Sequence, residues 1–118
     1  MYSAKLLDHF QNPRHAGEIE NATAVVEASN PACGDLMKLW VIVEDGRIVE
    51  AKFKVAGCVP AVACGSWLAE HVAGRLISGL SLVKPDEIET ALDGLPAASH
   101  HAAVLAADAL RRLLDRIQ

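Results

Sequence analysis

Four side chains in this sequence carry donor atoms suited to a metal ion. Cys33 and Asp35 share the segment Pro31-Ala32-Cys33-Gly34-Asp35, Cys58 ends the run Phe53-Lys54-Val55-Ala56-Gly57-Cys58, and His101 lies far downstream. Two thiolates, an imidazole nitrogen and a carboxylate make a complete tetrahedral set for a soft or borderline ion. No CxxC pair is present, so spacing alone does not bring the four together. Pro60 suits the first turn of a helix, which puts Cys58 just before a helix N-terminus. The partial positive charge there favours the thiolate, the form that binds metal or attacks an electrophile. Metal ligation and thiol chemistry are therefore both open from the residues. Cys64 precedes Leu68 by four positions on an apolar row and reads as a small core residue rather than a ligand or resolving thiol.

Rigid elements must position these groups. Ser3 is a cap for a helix running to Phe10, with Leu6, Leu7 and Phe10 as its apolar stripe, and Asn12-Pro13 ends it. Thr23 to Ala28, Leu36 to Val43 and Ile48 to Val55 read as the three strands of an antiparallel meander. A two-residue Asp45-Gly46 turn would set Leu39 against Lys52 and Met37 against Lys54, mixing the faces. A three-residue loop, Glu44-Asp45-Gly46, instead pairs Val41 with Val49, Leu39 with Ala51 and Met37 with Phe53, and is the preferred register. In either case Cys33 and Cys58 arrive at the same end of the hairpin. The helix after Cys58 is expected to reach about Gly79 with Leu68, Val72 and Leu76 as its buried stripe. A short helix starts near Pro85-Asp86. The last helix runs from about Ala97 to Ile117, with His101, Leu105, Ala109, Leu113 and Ile117 on one inward row.

The 118 residues are 52% hydrophobic and 22% charged, with mean hydropathy +0.22. That composition fills one core, and two halves would each be marginal, so a single domain over 1–118 is expected. A net charge of -4, with basic residues dispersed except for Arg111, Arg112 and Arg116, argues against nucleic-acid binding through phosphate neutralisation. No apolar run has the length of a signal peptide or a spanning helix, so a cytoplasmic protein is expected. Three cysteines without an export signal favour metal or thiol chemistry over a disulfide framework. No GxSxG stretch supports a serine hydrolase. His9 reads as packed in its helix, His15 and His71 as surface residues, and His100 as facing solvent or supporting its helix end.

Asp8-His9-Phe10-Gln11-Asn12-Pro13-Arg14-His15-Ala16-Gly17, Pro31-Ala32-Cys33-Gly34-Asp35, Phe53 to Cys58, Leu95-Pro96 with His101, and Leu105-Ala106-Ala107-Asp108-Ala109 together resemble the IscU/NifU N-terminal scaffold family of iron-sulfur cluster assembly. The resemblance covers nearly the whole chain. It implies an α+β fold, a three-stranded antiparallel sheet packed with helices on one face. It also implies a site that assembles iron and persulfide sulfur into a labile 2Fe-2S cluster. By motif, Cys33, Asp35 and Cys58 match family ligands and His101 the family histidine. The implied partners are a cysteine desulfurase, an Hsp70-type chaperone pair and recipient apo-proteins.

Two departures stand out. The family's third cysteine follows its histidine, and Ala102 occupies that place here. The chaperone-recognised LPPVK segment reads Leu95-Pro96-Ala97-Ala98-Ser99, which argues against Hsp70-type recognition. Cys33, Cys58, His101 and Asp35 still supply two donors to each iron of a 2Fe-2S unit or four to one zinc. The expectation is a non-enzymatic scaffold or carrier. The alternatives are a zinc-binding adaptor modulating a desulfurase and a sulfur-acceptor thiol protein built on Cys58.

Overall fold

The computed structural model describes residues 1–30 and 34–118. Cys33, the expected fourth donor, lies outside the described residues. The chain runs α1 (Ala4–Gln11), β1 (Ala24–Asn30), β2 (Asp35–Glu44), β3 (Arg47–Ala56), α2 (Val59–Val72), α3 (Pro85–Ala91) and α4 (His100–Ile117).

The three strands form one antiparallel sheet in the order β1-β2-β3. Met37, Leu39, Val41, Ala51 and Phe53 are all buried, as are Ala24, Val26 and Ala28 of β1, so alternate residues of every strand turn to one core. α4 packs chiefly on β1 and α2 on β3, so the helices cover one face of the sheet, as the resemblance implied.

The hairpin register differs from the expected one by two residues. Asp45 and Gly46 both adopt positive φ, +51° and +74°, giving the tight two-residue turn that pairs Glu44 with Arg47. The ladder then shifts, with Val43 opposite Ile48 but Ile42 opposite Glu50, leaving exposed Val49 as the extra residue of a bulge. Beyond it Val41 faces Ala51, Leu39 faces Phe53 and Met37 faces Val55. The bulge restores the side-chain parity that an unbroken two-residue hairpin would have lost. The inner face is thus the expected one, and the cross-strand partners differ.

α1 is capped by Ser3, whose Oγ accepts the Leu6 N–H at 3.0 Å, but its buried residues are Leu6 and His9. Leu7 and Phe10 are exposed, against expectation. The helix is turned so that His9 can meet Ser66 of α2, with Nδ1 2.8 Å from Oγ, a buried polar contact that an apolar stripe does not reveal. α2 ends at Val72 rather than near Gly79, and Leu76 is exposed. Gly74 takes φ +81° and its N–H donates to Ile48 O, while Ile48 N–H donates to Arg75 O, so the chain leaves the helix to pair with β3. α4 keeps the predicted row: Leu105, Ala109 and Leu113 are buried. Among the described residues no helix is long and apolar enough to cross a membrane.

Candidate metal centre

Three of the four expected donors meet at one end of the sheet. Asp35 opens β2, Cys58 is the N-cap residue of α2, and His101 sits in the first turn of α4. Cys58 Sγ lies 3.4 Å from Asp35 Oδ2 and 3.7 Å from His101 Nε2, and His101 Nε2 lies 3.3 Å from Asp35 Oδ2. Asp35 is buried, while Cys58 and His101 are half-buried, so among the described residues the cluster has one buried and one exposed side.

Each side chain is held by something specific. The two antiparallel ladders of β2 fix the backbone at Asp35, which pairs with Asn30. Gly57 presents no Cβ to the Asp35 carboxylate, which approaches too closely to tolerate one. The 3-10 turn Ala97–Ser99 leads into α4 and places the Ala98 carbonyl 3.2 Å from His101 Nδ1. That contact orients the ring so that Nε2 is directed at Cys58 and Asp35.

Burial, above all, pushes the Cys58 thiol up, and its hydrogen bond to Asp35 and the Asp35 charge act the same way. The Ala61 and Cys58 amides pull downward but do not prevail, so the thiolate expected from the helix N-terminus is not the resting form. The Cys58 S–H donates to Asp35 Oδ2. A metal that displaces this proton meets three donors already assembled. Their separations of 3.3 to 3.7 Å match the ligand-to-ligand edges, roughly 3.3 to 3.8 Å, of a tetrahedron with bonds of about 2.0 to 2.3 Å. The donor set therefore fits a thiophilic or borderline ion.

Other residues fall into place around this cluster. Cys64 is fully buried and its thiol is pushed up to about 12, first by burial, so it is a core thiol as its spacing indicated. Ala102 is also fully buried, packed into the core one residue beyond His101. His100 is not merely solvent-facing: its Nδ1 lies 3.0 Å from Glu89 Oε2. Sequence reasoning missed the parts played by Gly57 and Ala98. The Gly57-Cys58 dipeptide after a strand was the available signal for the first, and a backbone carbonyl leaves none for the second.

The comparisons agree with this architecture. Residues 1–116 match the family model described as NifU-like N terminal domain. The chain is 46% identical over 114 residues to the iron-sulfur cluster assembly scaffold protein IscU 1 of Archaeoglobus fulgidus, covering 97% of this chain and 74% of that one. It is 39% identical over 114 residues to the scaffold protein IscU of Escherichia coli K12, covering 93% and 88%. In fold, it resembles a NifU-like N-terminal protein from Brucella abortus, with a TM-score of 0.76 at 19% identity over 98% of this chain and 92% of the other. A putative SUF-system scaffold from Fervidobacterium islandicum gives 0.74 at 23% identity over 94% of both chains. Sequence match, sheet order and helix placement lead to one assignment: the chain belongs to the family of NifU-like N-terminal domains.

Proposed function

We propose that this chain is a scaffold and carrier on which iron and sulfur are assembled into a labile 2Fe-2S cluster and passed to apo-proteins, with Cys33, Asp35, Cys58 and His101 as the ligands. The observation that supports this most is the convergence of Asp35, Cys58 and His101 from three separate elements onto one half-exposed spot. The cluster is cargo, so a site that releases it must not hold it too tightly. Asp35 is a harder ligand than a thiolate, and the carboxylate is the donor that exchanges most readily with a recipient's cysteine. A cysteine desulfurase is the proposed sulfur donor and apo-proteins are the recipients. No Hsp70-type chaperone is included: Ala97-Ala98-Ser99 lacks the second Pro and the Lys, and its turn is occupied in holding His101.

A second reading is favoured by the donor spacing. The three donors already lie at the edge lengths of a single tetrahedral ion, which is the arrangement of a zinc site in an adaptor that modulates a desulfurase. Iron and acid-labile sulfide counted after anaerobic reconstitution separate the two. About two of each per chain, lost in Cys58→Ala and Cys33→Ala, support the scaffold. One tightly held zinc per chain with no sulfide retained moves the assignment to the adaptor.

A further inference from the structure

We propose a second divalent-cation site, formed by Asp86, Glu89 and His100, that holds a ferrous ion beside the assembly centre before it enters the cluster. One ligand atom from each of the three residues lies within 4.8 Å of the others. Asp86 and Glu89 stand three apart on α3 and so share a face, and His100 reaches them from the first turn of α4. The site is thus a convergence of two elements around an imidazole, not a run of acidic residues on one surface.

Asp86 and Glu89 bring two carboxylates together against one imidazole. Among the described residues no Lys or Arg forms an ion pair with Asp86 or Glu89, so no basic side chain occupies the space a cation would take. Among the described residues the basic group against Glu89 is the His100 imidazole, at 3.0 Å. Glu89 is only 22% exposed, so its charge is less screened than that of an open surface carboxylate. The 3.0 Å separation of His100 Nδ1 and Glu89 Oε2 is a hydrogen bond, and it is also close to the edge of an octahedron with bonds of about 2.1 Å, so an ion can take the place of the proton with little movement of these two groups. Two carboxylates and one imidazole suit Mn2+ or Fe2+ and give no thiolate on which sulfide chemistry could begin.

Position gives the site its use. His100 and His101 are consecutive, their Cα atoms about 3.8 Å apart. One imidazole faces Asp86 and Glu89, and the other faces Asp35 and Cys58. A ferrous ion held at the first site passes to the second by ligand exchange alone, with no change of oxidation state. This loading role rests on the scaffold reading above, whereas the cation site itself does not.

The site is tested in a Cys33→Ser/Cys58→Ser chain, which lacks the assembly thiols, by titrating Mn2+ and following loss of the free-ion EPR signal. About one ion per chain is expected, with binding at least tenfold weaker in His100→Ala and in Glu89→Gln and unchanged in Asp35→Ala. Far-UV circular dichroism checks that each variant is folded. No binding, or binding that survives both the His100 and Glu89 substitutions, overturns the site. The role is tested in the otherwise intact chain at limiting Fe2+: His100→Ala should slow anaerobic reconstitution several-fold while final iron and sulfide per chain stay the same. An unchanged rate overturns the loading role and leaves the site standing. Failure of the unsubstituted chain to retain sulfide even in excess iron would instead count against the scaffold reading alone.

Discussion

A Cβ placed on Gly57 would fall 2.7 Å from Oδ1 and 2.8 Å from Cγ of Asp35, so the glycine before Cys58 is what leaves the carboxylate its place. Gly57 does not have the positive φ that would demand glycine for backbone reasons. Its role is close approach, and substitution acts through Asp35. Gly57→Ala should therefore push the carboxylate away from Cys58 and His101 and weaken Co2+ binding about tenfold, the scale typical of groups that orient a ligand. In an Asp35→Ala background the same substitution should cost nothing further, because the obstructed group is gone. An equal loss in both backgrounds would show that Gly57 acts on the backbone instead.

Metal binding at the centre should release a proton. The Cys58 thiol is pushed above its ordinary value, so it is protonated at neutral pH and must give up that proton to become a ligand. Affinity for Zn2+ or Co2+ should rise with pH across the neutral range. A pH-indicator titration should count about one proton per ion from Cys58, absent in Cys58→Ser. Binding independent of pH would mean that the thiolate already exists in the free chain.

Cys64 makes the fold sensitive to alkali. Its thiol ionises at about 12 in the folded chain and near 9.0 when unfolded, so the unfolded form loses a proton first as pH rises. The stability that the buried neutral thiol contributes is complete below 9 and declines between 9 and 12. Urea unfolding across that range should show a shallower alkaline decline for Cys64→Ala than for the parent chain. At pH 7 the substituted chain should be weaker by about 1 kcal/mol or somewhat more, since a small buried group is removed. Parallel declines would place the alkaline sensitivity elsewhere.

Residue pattern revealed the faces of this fold more readily than its partners. His101 could be placed inward because Leu105, Ala109 and Leu113 repeat at helical spacing, and Leu39 and Phe53 could be put on one face because strands alternate. That Leu39 pairs with Phe53 depends on the extra residue at Val49, and a bulge leaves no mark in composition. Leu76 continues the row of Leu68 and Val72, so spacing predicts a longer α2 than the one that forms. A single Gly74 costs a helix only about 1 kcal/mol, and it was the pairing with β3 that ended it. Likewise, the helix N-terminus predicts a thiolate at Cys58, whereas burial above all, and then Asp35, hold the thiol protonated, and neither can be read from local sequence. Local sequence carries the helix end; the opposing carboxylate is a property of the assembled chain.

Ser66 links two segments that no spacing rule connects. Its Oγ lies 2.8 Å from His9 Nδ1 and accepts the Arg14 N–H at 2.8 Å, so removing it leaves two polar groups without their partner beside the core. Ser66→Ala should cost about 1 to 3 kcal/mol, measured by urea unfolding at pH 7.5. Burial also depresses His9, so the unfolded chain takes up a proton near 6.5 that the folded chain resists. Stability from this group is present above that pH and is lost as pH falls below it. His9→Asn, which keeps an acceptor for Ser66 but does not titrate, should lose less stability between pH 7.5 and 5.5 than the parent chain. If both lose the same amount, the acid sensitivity of the fold does not pass through His9.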